Sequence, residues 1–270
     1  MTLLLLKLTL APLLVVGSSL AGRRWGARVA GMMVAFPVVA GPILVIVALE
    51  HGARFGARAA AASLLGLVSL AVFAVVLAYA GRHRRWPAAL VVSWAATVGA
   101  DVLLARVEIG VGWAFALILG VVWVAHRCVA AIGSKAGPAG GAVPRPPWWD
   151  LPARAAATVV MVLSVTGIAA RAGPVVAGVL APFPVASSVV AGFVLAQQGA
   201  AAAVRMLAGL MQGLVGFAVF CGLAAVLLEP FGVAGAFAVA VAGALITQVG
   251  LAVPRRGAQP SQPGRTRPAS

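Results

Sequence analysis

The stretch FPVVAGPILVIVALEHGARFGAR, residues 36–58, returns 147 residues later as FPVASSVVAGFVLAQQGAAAAVR, residues 183–205. Both copies open on Phe-Pro-Val, reach a glycine (Gly52, Gly199) and close on an arginine (Arg58, Arg205). Working outward, residues 7–104 fall on residues 154–251 without a gap, with 26 identities in 98 pairs. A chain this rich in Ala, Val and Leu produces matches by chance, so the weight rests on rarer pairs. These are Arg24 with Arg171, Gly31 with Gly178, Gly66 with Gly213 and Phe73 with Phe220. An internal repeat has to be recognised before any fold is read, and in a membrane chain it points toward transporter-like architecture.

The chain is 63% hydrophobic and 9% charged, with a mean hydropathy of +1.08. Apolar runs of roughly 18 or more residues recur, which is the pattern of transmembrane helices. The sequence predicts an all-α integral membrane protein with about nine spans, near 3–21, 29–49, 59–80, 87–105, 110–130, 155–170, 175–196, 204–228 and 232–252. Four belong to each repeat. The fifth has no counterpart and carries Trp113 and Trp123 near its ends as interface anchors. The expected organisation is repeat one over 1–106, a linker helix with a Gly/Pro-rich loop over 107–150, repeat two over 151–253 and a disordered polar tail over 254–270.

An unmatched span between two four-helix units has a geometric consequence. Four crossings return the chain to its starting side, and the fifth places repeat two on the other, so the repeats are expected to be inverted. Charge agrees. With nine spans, 15 of the 20 Lys and Arg side chains fall on one side and 5 on the other; deleting the fifth span gives 13 and 7. The positive-inside rule then places the N-terminus outside and the tail in the cytoplasm. The net charge of +15 is thus topological, and no basic face on a soluble element suggests nucleic acid. Residues 1–20 lack the basic start of a signal peptide, and their counterpart lies in the chain interior.

The first repeat resembles the GlpM family of small bacterial inner-membrane proteins. The resemblance rests on Lys7 in an apolar first helix, Gly31 followed by Phe36-Pro37, Glu50-His51-Gly52 with Arg58 beyond, and Trp86-Pro87-Ala88-Ala89 opening the fourth helix. It covers about a hundred residues, and order and spacing carry it. Family members are usually one repeat long, so the resemblance implies a fused pair in the bacterial inner membrane. It implies no biochemical activity. A connection of the namesake with alginate production suggests, as an alternative function, an accessory or scaffold protein for envelope polysaccharide synthesis. The second repeat departs from the pattern, with Gln197-Gln198 at the acidic position and no Trp-Pro.

Several residues bear on function. Pro37 and Pro42 fall in the middle of the second span, and Pro182 and Pro184 in the middle of the seventh. A proline removes a backbone donor and disturbs the carbonyl one turn earlier. In lipid those groups must be satisfied within the protein or by a wet cavity. Matching Pro-interrupted spans in inverted repeats are the best sequence pointer to a central solute site, although a packed kink explains a single proline equally well. The expected solute contacts are Phe36, Pro37, Phe183, Pro184 and Gln212.

Glu50 and Asp101 are the acids nearest the apolar spans, both toward helix ends, and are candidates for coupling or gating. A wet edge, with Arg54 and Arg58 in reach of Glu50, is the plain alternative. Lys7 and Arg154 lie about a turn inside the first and sixth spans, where each side chain can snorkel to the interface or gate an anion. Arg58 and Arg205 open the third and eighth spans, where a cation opposes the helix dipole; binding a lipid phosphate or an anionic solute would account for them. Glycines such as Gly209 with Gly213 read as close helix packing.

Cys128 and Cys221 fit no redox or metal spacing, and no nucleotide loop, zinc motif or catalytic triad is present. The expected partners are the lipid bilayer and an unknown small solute, with a homo-oligomer open to the chain and no enzyme activity, cofactor, metal or nucleic acid. Small-solute transport or conduction is the leading reading.

Overall fold

The computed structural model describes residues 2–107, 109–134, 146–172 and 183–252. Among these every element is helical: α1 (Thr2–Trp25), α2 (Ala27–Val34), α3 (Ala40–His51), α4 (Ala53–His83), α5 (Trp86–Leu104), α6 (Val111–Ser134), α7 (Asp150–Ala172) and α8 (Val185–Ala252). The last is not one rod. Gly199 (φ 79°, ψ 179°) and Gly232 (φ 68°, ψ 178°) break it into residues 185–198 (α8a), 200–231 (α8b) and 233–252 (α8c).

Glycine makes the joints for a steric reason. Gly26 (φ 93°, ψ 163°) separates α1 from α2, and Gly52 (φ 89°, ψ 161°) separates α3 from α4. Positive φ with ψ near 180° is a region almost confined to glycine. One such residue lets the chain leave a helix and enter the next without a loop. Gly52 and Gly199, equivalent in the sequence repeat, adopt the same conformation.

The helices α4, α5, α6 and α7, and the long α8, are apolar and long enough to cross a bilayer. At about 1.5 Å per residue α8 far exceeds the ~30 Å of a hydrocarbon core, so its joints are required if it is to remain within one. The outer surface is apolar, with Leu103, Trp113 and Ile246 exposed. Lipid accommodates such a surface and water does not. Over its described residues the chain is all-helical, with several helices able to span a membrane.

α8b lies at the centre, with α2, α4 and α6 packed against α8. Phe73 of α4 and Phe220 of α8b, an equivalent pair in the repeat, are both fully buried. The crossing of α2 on α8b is close because the residues are small. A β-carbon on Gly31 would overlap the Met206 carbonyl oxygen, and one on Gly209 the Arg28 carbonyl oxygen. This is the backbone approach that small residues permit in lipid.

Side-chain contacts fix the directions. Ser19 meets Arg154 and Arg23 meets Asp150, so α1 and α7 run antiparallel. Trp94 meets Ser188 and Leu90 meets Gly192, so α5 and α8a are antiparallel. Phe115 meets Gly222 and Val204 meets Gly133, so α6 and α8b are antiparallel too.

Some boundaries differ from the sequence reading. α7 begins at Asp150 rather than near 155, because the Pro/Trp-rich segment turns directly into the helix at that residue. α4 begins at Ala53 rather than 59, because Gly52 alone makes the joint. The linker over 107–150 contains α6 as expected, while residues 135–145 lie outside the described residues, as do 173–182 and the tail.

Candidate functional site

The two Phe-Pro-Val segments are built alike. The Val38 N–H donates to the Phe36 carbonyl at 2.7 Å and the Gly41 N–H to the Pro37 carbonyl at 2.8 Å. The Val185 N–H donates to the Phe183 carbonyl at 2.8 Å and the Ser188 N–H to the Pro184 carbonyl at 2.8 Å. All four bonds relate equivalent residues of the repeat. Pro37 and Pro184 are buried, and Phe36 and Phe183 half-buried. The ring nitrogen cannot donate, so α2 stops at Val34, a short turn follows, and α3 starts at Ala40. No side chain caps α3, which leaves its first-turn N–H groups to other partners.

Each turn lies against the other half of the chain. The β-position of Gly41 is 3.5 Å from the ζ carbon of Phe220. Trp94 Nε1 donates to Ser188 Oγ at 2.9 Å, and its ring stands 5.9 Å from that of Phe183. Gln212 is held elsewhere, its Oε1 accepting from Arg28 Nε at 2.9 Å across the α2–α8b crossing.

A buried charge cluster lies where α1, α7 and α8a meet. Asp150 accepts from Arg154 Nε at 3.0 Å on both oxygens, from Arg23 Nη2 at 2.6 Å and from Gln197 Nε2 at 2.7 Å. Arg154 also donates to Gln197 Oε1 at 3.3 Å and Ser19 Oγ at 3.4 Å, and its guanidinium stands 4.8 Å from the Phe193 ring centre. Arg154 is therefore not snorkelled to an interface: it is buried and neutralised in place. Asp150 falls at the end of the linker expected from the sequence, which gives it no role. The available signal was Asp-x-x-x-Arg at the opening of an apolar helix, which places the two on one face.

Asp101 is not at a wet edge. It is buried on α5 opposite Ser69 of α4, in line with buried Ser93 and Thr97. The Asp101 and Ser69 side chains are neighbours, and neither Asp101 Oδ2 nor Ser69 Oγ makes a well-formed hydrogen bond among the described residues.

Glu50 is exposed, and among the described residues it forms no ion pair with Arg54 or Arg58. Arg54 instead reaches Glu229, at 3.9 Å, with both side chains mostly exposed; such a contact contributes little. Arg58 and Arg205 do not open their helices. Each is exposed and the sixth residue of its segment, beyond the turn where the helix dipole acts strongly. Lys7 sits in α1, but its side chain lies outside the described residues.

Among the described residues no group of three His, Cys, Asp or Glu could hold a metal ion. An apolar cavity of about 490 Å³ lies between α4 and α6, lined by residues such as Val75, Gly120 and Val124. Its lining includes none of the Phe-Pro residues or buried charges, and it reads as a lipid-facing furrow.

No family model, curated protein or solved structure matches the chain.

Proposed function

We propose that the chain is a small-solute transporter or channel built from two inverted four-helix repeats, with α6 as the unmatched connector among nine spans. The observation that carries this reading is the paired construction of the Phe-Pro-Val turns. Interrupted helices at matching positions of inverted repeats are where membrane transporters place their solutes.

Helix directions support inversion. In an inverted pair the first helices of the two repeats run oppositely, as α1 and α7 do. The fourth helix of repeat one and the second of repeat two must then be antiparallel, as are α5 and α8a. Repeats mounted the same way round would make both pairs parallel. On this reading Phe36-Pro37 and Phe183-Pro184 lie near mid-membrane, the N-terminus faces out, and the tail faces the cytoplasm of a bacterial inner membrane. Membership of the GlpM family as a fused pair belongs to the same proposal and rests on the order of Lys7, Phe36-Pro37, Glu50-His51-Gly52 and Trp86-Pro87.

The test begins with purified protein screened for thermal stabilisation by a panel of small ions and solutes. The stabilising compound then becomes the flux probe in proteoliposomes. Pro37→Ala and Pro184→Ala are expected to insert and fold but lose flux. Wild-type flux in both variants would remove the turns from the pathway. Absence of any stabilising or permeating solute would favour the accessory or scaffold reading.

A further inference from the structure

We infer that Asp101 and Ser69 form a proton-carrying site inside the bundle, where the Asp101 carboxylate takes up one proton to become the neutral acid and later releases it.

Burial is the first support. Asp101 lies in the last turn of α5, three residues before its end at Leu104, yet its side chain is packed inside the bundle rather than turned out to the helix end. It is 5% exposed, and Ser69 is 0% exposed. The second support is the missing partners. Asp101 Oδ2 and Ser69 Oγ are both buried and neither makes a well-formed hydrogen bond among the described residues, although the two side chains are neighbours.

Among the described residues the surroundings offer no other compensation. Thr97 and Ser93 donate to carbonyls of their own helix, at 2.7 Å each, so neither donates to the acid. Ser69 is the polar side chain that α4 presents. α8 meets α5 at Leu90 and Trp94, through Gly192 and Ser188, and brings no charge there. Among the described residues Asp101 has no ion pair, and Arg106, five positions on, is exposed. A lone carboxylate at such a place is costly. Protonation removes the charge and supplies an O–H that Ser69 can accept.

The other repeat shows the neutral counterpart. Gln248 and Gly216 stand 147 residues after Asp101 and Ser69. Gln248 Cγ lies 2.9 Å from the β-position of Gly216, and its Nε2 donates to the Gly213 carbonyl at 3.2 Å. The equivalent position therefore holds a permanently neutral side chain with a partner. Only the first repeat has an ionisable group there.

The inference deepens the transporter reading and rests on it for any coupling of the proton to solute; occupancy of Asp101 by a proton does not. Infrared spectroscopy of the full chain in lipid nanodiscs reads that occupancy directly, and five Asp and Glu side chains make assignment tractable. A protonated carboxyl band is expected in mildly acidic buffer, lost reversibly as the pH is raised and absent in Asp101→Asn. Asp101→Gln, which copies Gln248, serves if the first variant fails to fold. The inference is overturned if the band is missing at every pH, survives the substitution, or does not titrate. Loss of the band on adding sodium at constant pH would overturn it in favour of a cation site. A titrating band in a chain that moves no solute keeps the proton site and removes the transporter reading.

Discussion

Arg23, in the last turn of α1, holds Asp150, the first residue of α7, with Nη2 2.6 Å from Oδ2. One contact thus ties the end of one repeat's opening helix to the start of the other's. It sets the two antiparallel and places the acid where Arg154 needs it.

Removing that acid should be costly. Asp150→Asn leaves Arg154 buried without its counter-ion. Breaking a buried pair costs about 3–5 kcal/mol, and the lower end is expected because Arg23 is partly exposed. Thermal unfolding in detergent should show the loss. Leucine at both Asp150 and Arg154 should recover much of it, since the apolar pair removes both charges; no recovery would mean that the network acts through something other than charge balance.

Inversion is tested by accessibility. His51 and Gln198 are exposed, lie beside the matched glycines, and stand 147 residues apart. Single cysteines at these positions, in a background lacking Cys128 and Cys221, should react with an impermeant maleimide from opposite faces of sealed vesicles. Labelling from the same face would end the inverted model.

The close crossing of α2 on α8b predicts a local intolerance. Gly31→Ala forces a β-carbon onto the Met206 carbonyl and should cost about 1–3 kcal/mol, the usual range for overpacking. Gly17→Ala meets nothing within 4 Å and should leave the melting temperature unchanged or slightly raised. Equal effects in the two variants would contradict the packing.

Matched joints predict matched penalties. Gly52→Ala and Gly199→Ala both place a β-carbon at positive φ, with no neighbour within 4 Å at either site. Strain alone then sets the loss, about 1–3 kcal/mol each. A large loss at one and none at the other would show that the joints are not equivalent.

Much of the architecture is written in local chemistry. Apolar runs identify the helices, Pro37 lies in the break between α2 and α3, Pro184 immediately precedes α8, and glycines at 52 and 199 fall where the chain changes direction. These are properties of a residue and its immediate neighbours, so the two Phe-Pro-Val segments and the two glycine joints take matching backbone forms. The partners of Asp150, Asp101 and Gln212 are another matter. Arg23 lies 127 positions from Asp150, and Arg28 lies 184 from Gln212. Which charges are neutralised, and which carboxyl is left alone with a serine, depends on which helix faces meet. Packing decides that, because in a low-dielectric interior the cost of a charge is set by its spatial neighbours rather than by its place in the chain.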